Sequence, residues 1–224
     1  MNKIPVITID GPSGSGKGTV ATLTAKDLGF RLLDSGALYR SLAVSAIKRE
    51  VNLEDHQQLA DLARSLNIEF DLFNSGSVWL DGEDVSLSIR TDIVSKAASL
   101  LGTIPAVRTA LHEQQLAFRK EPGLVADGRD MGTVVFPDAL VKIYLTARLE
   151  ERVQRRYKQL IDKGIDATLP LLLRDLKERD AKDSERPISP LKPAKDAVVL
   201  DTTVLQVDQV VQLVMSIVRD RLAS

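Results

Sequence analysis

VITIDGPSGSGKGT, at residues 6–19, runs from a strand-like segment through a glycine-rich loop into the start of a helix. The five β-favouring residues at 6–10 predict a buried strand. The three glycines of the loop leave room for backbone N–H groups to point at phosphate oxygens, and the helix N-terminus adds its positive end. Lys17 stands where a lysine can reach outer phosphates. The order of these parts predicts a phosphate-binding P-loop.

One position departs from the usual P-loop pattern, in which Ser or Thr directly follows the lysine. Gly18 stands at that position, and Thr19 comes one residue later. The hydroxyl of Thr19 is a candidate for contact with phosphate or magnesium. Because Thr19 lies one residue beyond the usual Ser or Thr, the magnesium-ligand role of that residue cannot be assigned to it directly. The residues expected to bind the phosphates are Gly11, Pro12, Ser13, Gly14, Ser15, Gly16, Lys17, Gly18 and Thr19.

The composition limits the classes of function open to the chain. With 44% hydrophobic and 4% aromatic residues among 224, the chain can bury a core of mostly aliphatic side chains. The 30 Lys and Arg residues balance 31 Asp and Glu residues, which disfavours a general surface for nucleic acid or membranes. The absence of cysteine excludes disulfides, thiolate metal sites and cysteine nucleophiles. Without a signal-peptide pattern or an apolar run of ~20 residues, we expect a soluble, cytoplasmic protein.

Short apolar strands alternate with helices along most of the chain, which predicts an α/β fold with a parallel sheet flanked by helices. At 68–82 the pattern changes to short alternating strands with turns at 74–77 and 81–82, which predicts a small antiparallel insert. Trp79 is expected to pack this inserted sheet. A charged segment at 148–183 is predicted to be helical.

A first group of anion-binding side chains follows the second predicted strand. The C-terminal ends of strands in an open parallel sheet face the ligand crevice. The segment DSGALYR at 34–40 places Ser35, Tyr39 and Arg40 at such an end. Their two hydroxyls and guanidinium could bind an anion, although helix capping with a surface tyrosine and arginine is the simpler alternative.

A second group follows a later strand, in the segment ADGRDMGT at 126–133. Arg129 offers a bidentate contact to phosphate. Asp127 suits a water-mediated contact to magnesium, as acidic residues at strand ends do in P-loop proteins. The sequence therefore predicts a phosphate site with a possible metal contact at this strand end.

The charged segment from 148 to 186 carries 11 basic and 9 acidic residues, a net charge of 11 − 9 = +2. Interleaved acids and a single aromatic residue argue against a nucleic-acid patch, and most of these charges are expected to lie on solvated helix faces. Phosphoryl transfer nevertheless needs arginines over the spreading negative charge. The candidates are Arg155, Arg156, Arg179 and Arg186.

Four motifs together resemble the bacterial cytidylate kinase family, and the resemblance runs nearly from end to end. They are GPSGSGKGT at 11–19, LLDSGALYR at 32–40, VADGRDMGTVVFPDA at 125–139 and KERDAKDSERP at 177–187. The resemblance implies one P-loop kinase domain over 1–224. Its predicted parts are a core at about 1–34, 103–150 and 187–224, a monophosphate-binding region with the β insert at about 35–102, and a short helical lid at about 151–186.

The resemblance implies an ATP-dependent kinase that converts CMP and dCMP to CDP and dCDP in pyrimidine nucleotide metabolism. It implies small-molecule substrates, Mg²⁺ carried by ATP, no nucleic acid or membrane partner, and a monomer. No direct metal ligand is predicted, and Thr19 and Asp127 are the candidates for contacting the ATP-bound Mg²⁺. The predicted catalytic residues are Lys17 of the P-loop and Arg155 of the charged segment, together with Arg129, Arg179 and Arg186. The implied CMP-binding residues are Ser35, Tyr39, Arg40, Ser99, Arg108, Arg129, Asp130, Arg179, Asp183 and Arg186.

Elementary chemistry supports one of these roles. A carboxylate such as Asp130 accepts a hydrogen bond from the N4 amino group of cytosine and repels the carbonyl that uracil presents there. Ser99 and Asp183, in contrast, are named by the resemblance alone.

Two alternatives stand beside this prediction, because a P-loop alone does not fix function. A P-loop kinase could act on another small acceptor, such as UMP or a non-nucleotide. A GTPase switch would read guanine with N-K-x-D and sense the γ-phosphate with D-x-x-G, and neither pattern occurs in the sequence.

Overall fold

The computed structural model describes residues 3–71, 77–162 and 164–223. The strands in these ranges are β1 (Val6–Asp10), β2 (Arg31–Asp34), β3 (Ile68–Asp71), β4 (Ser77–Leu80), β5 (Glu83–Asp84), β6 (Leu124–Gly128), β7 (Val141–Thr146) and β8 (Val198–Asp201). The helices are α1 (Lys17–Leu28), α2 (Ser35–Lys48), α3 (His56–Ser65), α4 (Asp92–Leu101), α5 (Pro105–Ala117), α6 (Leu149–Ile161), α7 (Leu169–Glu185) and α8 (Val207–Leu222). A 3₁₀ turn at Ser88–Arg90 and a π-helical turn at Met131–Val135 also occur.

The chain divides into two compact units. Unit one comprises Met1–Pro5 and Ala25–Asp127, and unit two comprises Val6–Thr24 and Gly128–Ser224. Helices that could span a membrane were not found in the part of the chain that the structure describes.

In unit one, β2 and β6 pair in parallel, with Asp34 opposite Asp127 at their C-terminal ends. Helices α2 to α5 pack on one another and bury a mostly aliphatic core that includes Leu38, Leu59 and Leu111. Local sequence sets where these helices begin. The side chain of Asp34 caps α2. Helix α5 begins with Pro105, whose missing N–H needs no partner in the first turn.

The predicted antiparallel insert lies in unit one and is confirmed. β3 pairs with β4 and β4 with β5, both antiparallel. Asp81 and Gly82 make the second predicted turn with positive φ angles of 52° and 81°. The first predicted turn falls at 74–77, of which 74–76 lie outside the described residues.

In unit two, β1 pairs with β7 and β7 with β8, all in parallel. Every residue of β1 is buried, as expected for a parallel strand covered on both faces. Helix α8 packs against β7 and buries Val211, Val214 and Val218, while α6 packs against α7. The parallel pairing in both units, with flanking helices and the antiparallel insert, confirms the predicted fold class.

The structure adds detail to two expectations from the sequence. The charged segment contains two helices, α6 and α7, in agreement with its predicted helical character. Gly164 takes a left-handed φ of 69° after α6, and Pro170 lies in the first turn of α7. Trp79 does not pack the core side of the insert. Its neighbours Val78 and Leu80 are buried, and the alternation of the strand leaves Trp79 on the exposed face.

Candidate active site

The loop between β1 and α1 in unit two has the shape that phosphate binding needs. Gly11 has a φ of 153°, and a Cβ there would lie 2.1 Å from the carbonyl oxygen of Leu145, so a side chain is excluded. Gly16 has a φ of 89°, and a Cβ there would meet nothing within 4 Å. The loop is therefore packed tightly at its start and open at its end, directly before the N-terminus of α1.

Polar groups around this loop fit an anionic ligand. The buried Nζ of Lys17 donates a hydrogen bond to the carbonyl oxygen of Pro12 at 3.1 Å. The Oγ of Ser15 is buried and makes no hydrogen bond within the described residues. An ammonium and a buried hydroxyl beside an open glycine loop suit the phosphates of a nucleotide. Thr19, in contrast, is exposed in the first turn of α1.

Asp10, the last residue of β1, anchors the π-helical turn at Met131–Val135. Its two carboxylate oxygens accept hydrogen bonds from the backbone N–H groups of Met131 at 2.9 Å and Gly132 at 2.8 Å. Burial raises the pKa of Asp10 from 3.8 to about 6, although the two N–H groups oppose this rise. The nearby charge of Asp130 raises that pKa further.

Arg129 joins the phosphate loop to α7. Its Nε donates to Oδ2 of Asp183 at 2.8 Å, and its Nη2 donates to Oγ of Ser13 at 2.8 Å. Burial alone would raise the pKa of Asp183, but Arg129, Arg179 and Arg186 together lower that pKa below its usual value. Asp183 is therefore held as a carboxylate among three guanidinium groups.

Two arginines of α6 also reach the phosphate loop. Arg152 donates to the carbonyl oxygens of Ser13 and Ala147, both at 3.0 Å, and pairs with Asp180 at 2.6 Å. Arg155 donates to the hydroxyl of Thr202 at 3.0 Å and to the carbonyl oxygen of Ser15 at 3.4 Å. Two arginines on successive turns of α6 thus donate hydrogen bonds to the backbone of the phosphate loop.

Asp130 and Arg186 lie together in unit two. Asp130 is buried, and one of its carboxylate oxygens lies 3.9 Å from Nη2 of Arg186. Arg186 also donates from Nε to the carbonyl oxygen of Ser189. Although Asp130 precedes the π-helical turn, its carboxylate makes no capping hydrogen bond to that turn, all of whose residues are described.

A second set of polar groups lies in unit one, at the start of α2. Oδ1 of Asp34 caps this helix by accepting from the N–H of Ala37 at 2.7 Å, and Oδ2 pairs with Arg40 at 3.2 Å. The buried Oγ of Ser35 accepts a hydrogen bond from Nε2 of Gln115 at 2.8 Å.

Two more arginines of unit one lie near this helix. Arg108 donates to the hydroxyl of Tyr39 at 3.4 Å and to the carbonyl oxygen of Gly102, at the end of α4, at 3.3 Å. Burial lowers the pKa of Arg90, and the positive charge of Arg40 lowers it further. Positive charges gathered near the N-terminus of α2 favour an anion there.

Comparisons with known proteins connect these features to a family. A family model described as cytidylate kinase matches residues 7–220. The chain belongs to the cytidylate kinase family. The cytidylate kinase of Stutzerimonas stutzeri (strain A1501) is 53% identical over 224 residues, which cover 99% of this chain and 98% of that protein. The cytidylate kinase of Pseudomonas entomophila (strain L48) is 54% identical over 218 residues, covering 96% of each chain.

A solved structure supports the fold alone. The crystal structure of an uncharacterized protein from Eubacterium ventriosum ATCC 27560 superposes with a TM-score of 0.52 at 13% identity, covering 97% of this chain and 99% of that one. The resemblance to cytidylate kinases, predicted from four motifs, is confirmed by the family match.

The structure places the site residues predicted for a cytidylate kinase in both units. Unit one holds Ser35, Tyr39, Arg40, Ser99, Arg108 and Asp127. Unit two holds the phosphate loop with Lys17 and Thr19, together with Arg129, Asp130, Arg155, Arg156, Arg179, Asp183 and Arg186. Their roles toward substrates stay predictions. Within the described residues no group of three His, Cys, Asp or Glu side chains could hold a metal ion.

Four residues of these surroundings were not predicted from the sequence. Gln115 lies 80 residues from its partner Ser35, and Arg152 lies 139 residues from Ser13, so no local pattern marks either. Asp180 is one of nine acidic residues in the charged segment from 148 to 186, so its residue type alone did not single it out. Asp10 did carry a signal, since a carboxylate that ends a buried strand directly before a P-loop needs a partner.

Asp10 is expected to make the stability of this cytidylate kinase family member depend on pH. Its pKa in the folded state, about 6, exceeds its ordinary 3.8, so between these values the folded chain binds more protons than the unfolded chain. The contribution of Asp10 is full below pH 3.8 and is lost as the pH rises through 6. From pH 5 to pH 7 the wild-type free energy of unfolding should fall by about 1 kcal/mol relative to that of Asp10→Asn. Urea denaturation at the two pH values measures this, and equal pH slopes for both proteins would contradict it.

Proposed function

We propose that the chain catalyses the phosphorylation of CMP and dCMP by ATP, giving CDP or dCDP and ADP. The observation that carries this proposal is the family match, which spans residues 7–220 and so includes both the phosphate loop and the polar groups at the start of α2. The relatives named above are cytidylate kinases by name and are covered over almost their whole length.

The phosphate loop suits the nucleotide that donates the phosphoryl group. Its backbone N–H groups and the N-terminus of α1 would hold the ATP phosphates, and Lys17 would neutralise charge on the transferred group. Mg²⁺ bound to ATP would supply further positive charge to the phosphate oxygens. Thr19 and Asp127 remain the candidates for contacting that metal.

The resemblance implies roles toward CMP for residues of each unit. In unit one, Ser35, Tyr39 and Arg40 would bind its phosphate, and Ser99 and Arg108 its base. In unit two, Arg129 and Arg186 would bind the phosphate, Asp130 the base, and Arg179 and Asp183 the ribose.

Transfer would occur directly and in line, without a covalent enzyme intermediate. The CMP phosphate is already largely ionised at neutral pH, so no general base is needed. Catalysis then rests on position and charge, with Lys17, Arg129, Arg155, Arg179 and Arg186 as the candidate groups over the spreading negative charge. The expected monomeric state and cytoplasmic location complete the proposal as predictions from the sequence.

Separation of the nucleotides after incubation with ATP, Mg²⁺ and CMP tests the reaction type. We expect CDP and ADP in equal amounts, no free phosphate beyond the background, and no ADP when CMP is omitted. A GTPase switch would instead release phosphate from GTP and form no CDP. Hydrolysis of GTP without CDP formation would contradict the proposal.

A further inference from the structure

Two aspartates one turn apart on α7 are each joined to Ser13 of the phosphate loop through an arginine. Asp183 pairs with Arg129 at 2.8 Å, and Arg129 donates to the hydroxyl of Ser13 at 2.8 Å. Asp180 pairs with Arg152 at 2.6 Å, and Arg152 donates to the carbonyl oxygen of Ser13 at 3.0 Å. All five residues belong to unit two.

The two connections differ in their chemistry. Arg129 and Asp183 both carry roles toward CMP in the proposed function, so substrate is expected to compete with their mutual contact. The resemblance gives Arg152 and Asp180 no role toward substrate. Their ion pair can therefore persist through the reaction.

Arg152 is built into its place more firmly than a surface arginine. Its side chain is 7% exposed and also donates to the carbonyl oxygen of Ala147 at 3.0 Å. A Cβ at Gly14 would lie 2.9 Å from the Cβ of Arg152, so the loop touches α6 at this point. A buried guanidinium with several fixed partners is costly to leave unpaired, whereas exposed ion pairs contribute little.

We propose that Arg152 and Asp180 are positioning residues that hold α7 against the phosphate loop at Ser13. Through them, Arg179, Asp183 and the following Arg186 stay in place while Arg129 exchanges partners with the substrate. This inference rests on the proposed function for its kinetic consequence. Its structural consequence, the order of α7 in the free protein, does not depend on the substrate.

Asp180→Asn tests this inference, because it removes the charge of the ion pair and keeps the size of the side chain. Amide hydrogen exchange in α7 of the nucleotide-free protein should rise about tenfold, and kcat/KM for CMP should fall about tenfold, the effect expected for a coupled buried pair. Asp180→Glu retains the charge. Its amide exchange in α7 and its kcat/KM for CMP should therefore both lie closer to the wild-type values than those of Asp180→Asn.

Glu178→Gln is the matched control on the same helix. Glu178 lies 3.9 Å from Arg174 in a pair whose side chains are 60% and 66% exposed, so its loss should change neither measurement. If Asp180→Asn did not fold, Arg152→Lys would test the positioning role in its place. A lysine keeps the charge but cannot reproduce the fork that reaches Ser13, Ala147 and Asp180 together, and exchange in α7 should again rise.

Wild-type exchange in α7 of Asp180→Asn would overturn the inference, as would equal increases in Asp180→Asn and Glu178→Gln. Failure of the proposed function has a different signature. The unsubstituted protein would then form no CDP, while the exchange difference between Asp180→Asn and its control would remain.

Discussion

Lys17→Ala is expected to lower kcat by about 100-fold or more, which corresponds to about 2.7 kcal/mol of lost transition-state stabilisation. Lys17 is buried at the end of the glycine loop, where its ammonium donates to the carbonyl oxygen of Pro12. In the proposed function, a cation at this position would neutralise charge that develops on the transferred phosphoryl group, and alanine would leave that charge without compensation. Steady-state kinetics with ATP and CMP measure the effect.

Lys26→Ala is a matched control, because Lys26 is an exposed lysine in the last turn of the same helix. Its kcat should equal that of the wild type. Urea denaturation should find Lys17→Ala folded, since the substitution removes one hydrogen bond of about 1 kcal/mol rather than part of the aliphatic core. A folded Lys17→Ala protein with wild-type turnover would refute the assignment of Lys17.

Asp130→Asn is expected to lower kcat/KM for CMP. It should also bring the ratio of kcat/KM for CMP to kcat/KM for UMP closer to one. Asp130 is buried, and its carboxylate does not cap the π-helical turn that follows, whose residues are all described. A buried carboxylate facing the uracil carbonyl would cost about 1–3 kcal/mol, a preference for CMP of roughly ten- to hundredfold. Asparagine can present either an oxygen or an NH₂ group and so would tolerate both bases.

The competing explanation is that Asp130 orders Arg186, whose guanidinium lies 3.9 Å from its carboxylate. Loss of that contact would weaken both acceptors by the same factor. Kinetics with CMP and UMP, with the exposed Asp138→Asn as control, separate the two roles. An unchanged CMP/UMP ratio in Asp130→Asn would refute base reading, and ATP affinity should stay near that of the wild type.

The fold was largely predictable because its signals are local. Lys17 after the glycine loop and Pro105 are the first residues of α1 and α5, and both positions carry local signals for a helix start. The separation of α6 from α7 also had signals, in Gly164 and Pro170, that the run of charges obscured. Trp79 shows a limit of a different kind, because alternation predicts two faces for a strand but not which face meets a core.

The candidate site was predictable where motifs mark it and not where it depends on contacts between distant segments. The glycine loop and the segments after β2 and β6 could be recognised from residue types and order. Arg152 and Asp180 could not, because their burial depends on how α6 and α7 pack beside Ser13. Gln115 was missed for the same reason, since a glutamine in a helix does not reveal the hydroxyl it will meet.

The acceptor preference of the wild-type protein tests the central claim most directly. A coupled assay compares kcat/KM for CMP, UMP and AMP with ATP as the donor, on one enzyme preparation. We predict the highest value for CMP, with UMP lower by roughly ten- to hundredfold and AMP also lower. Equal or faster turnover of UMP or AMP, or no turnover of CMP, would contradict the proposed function.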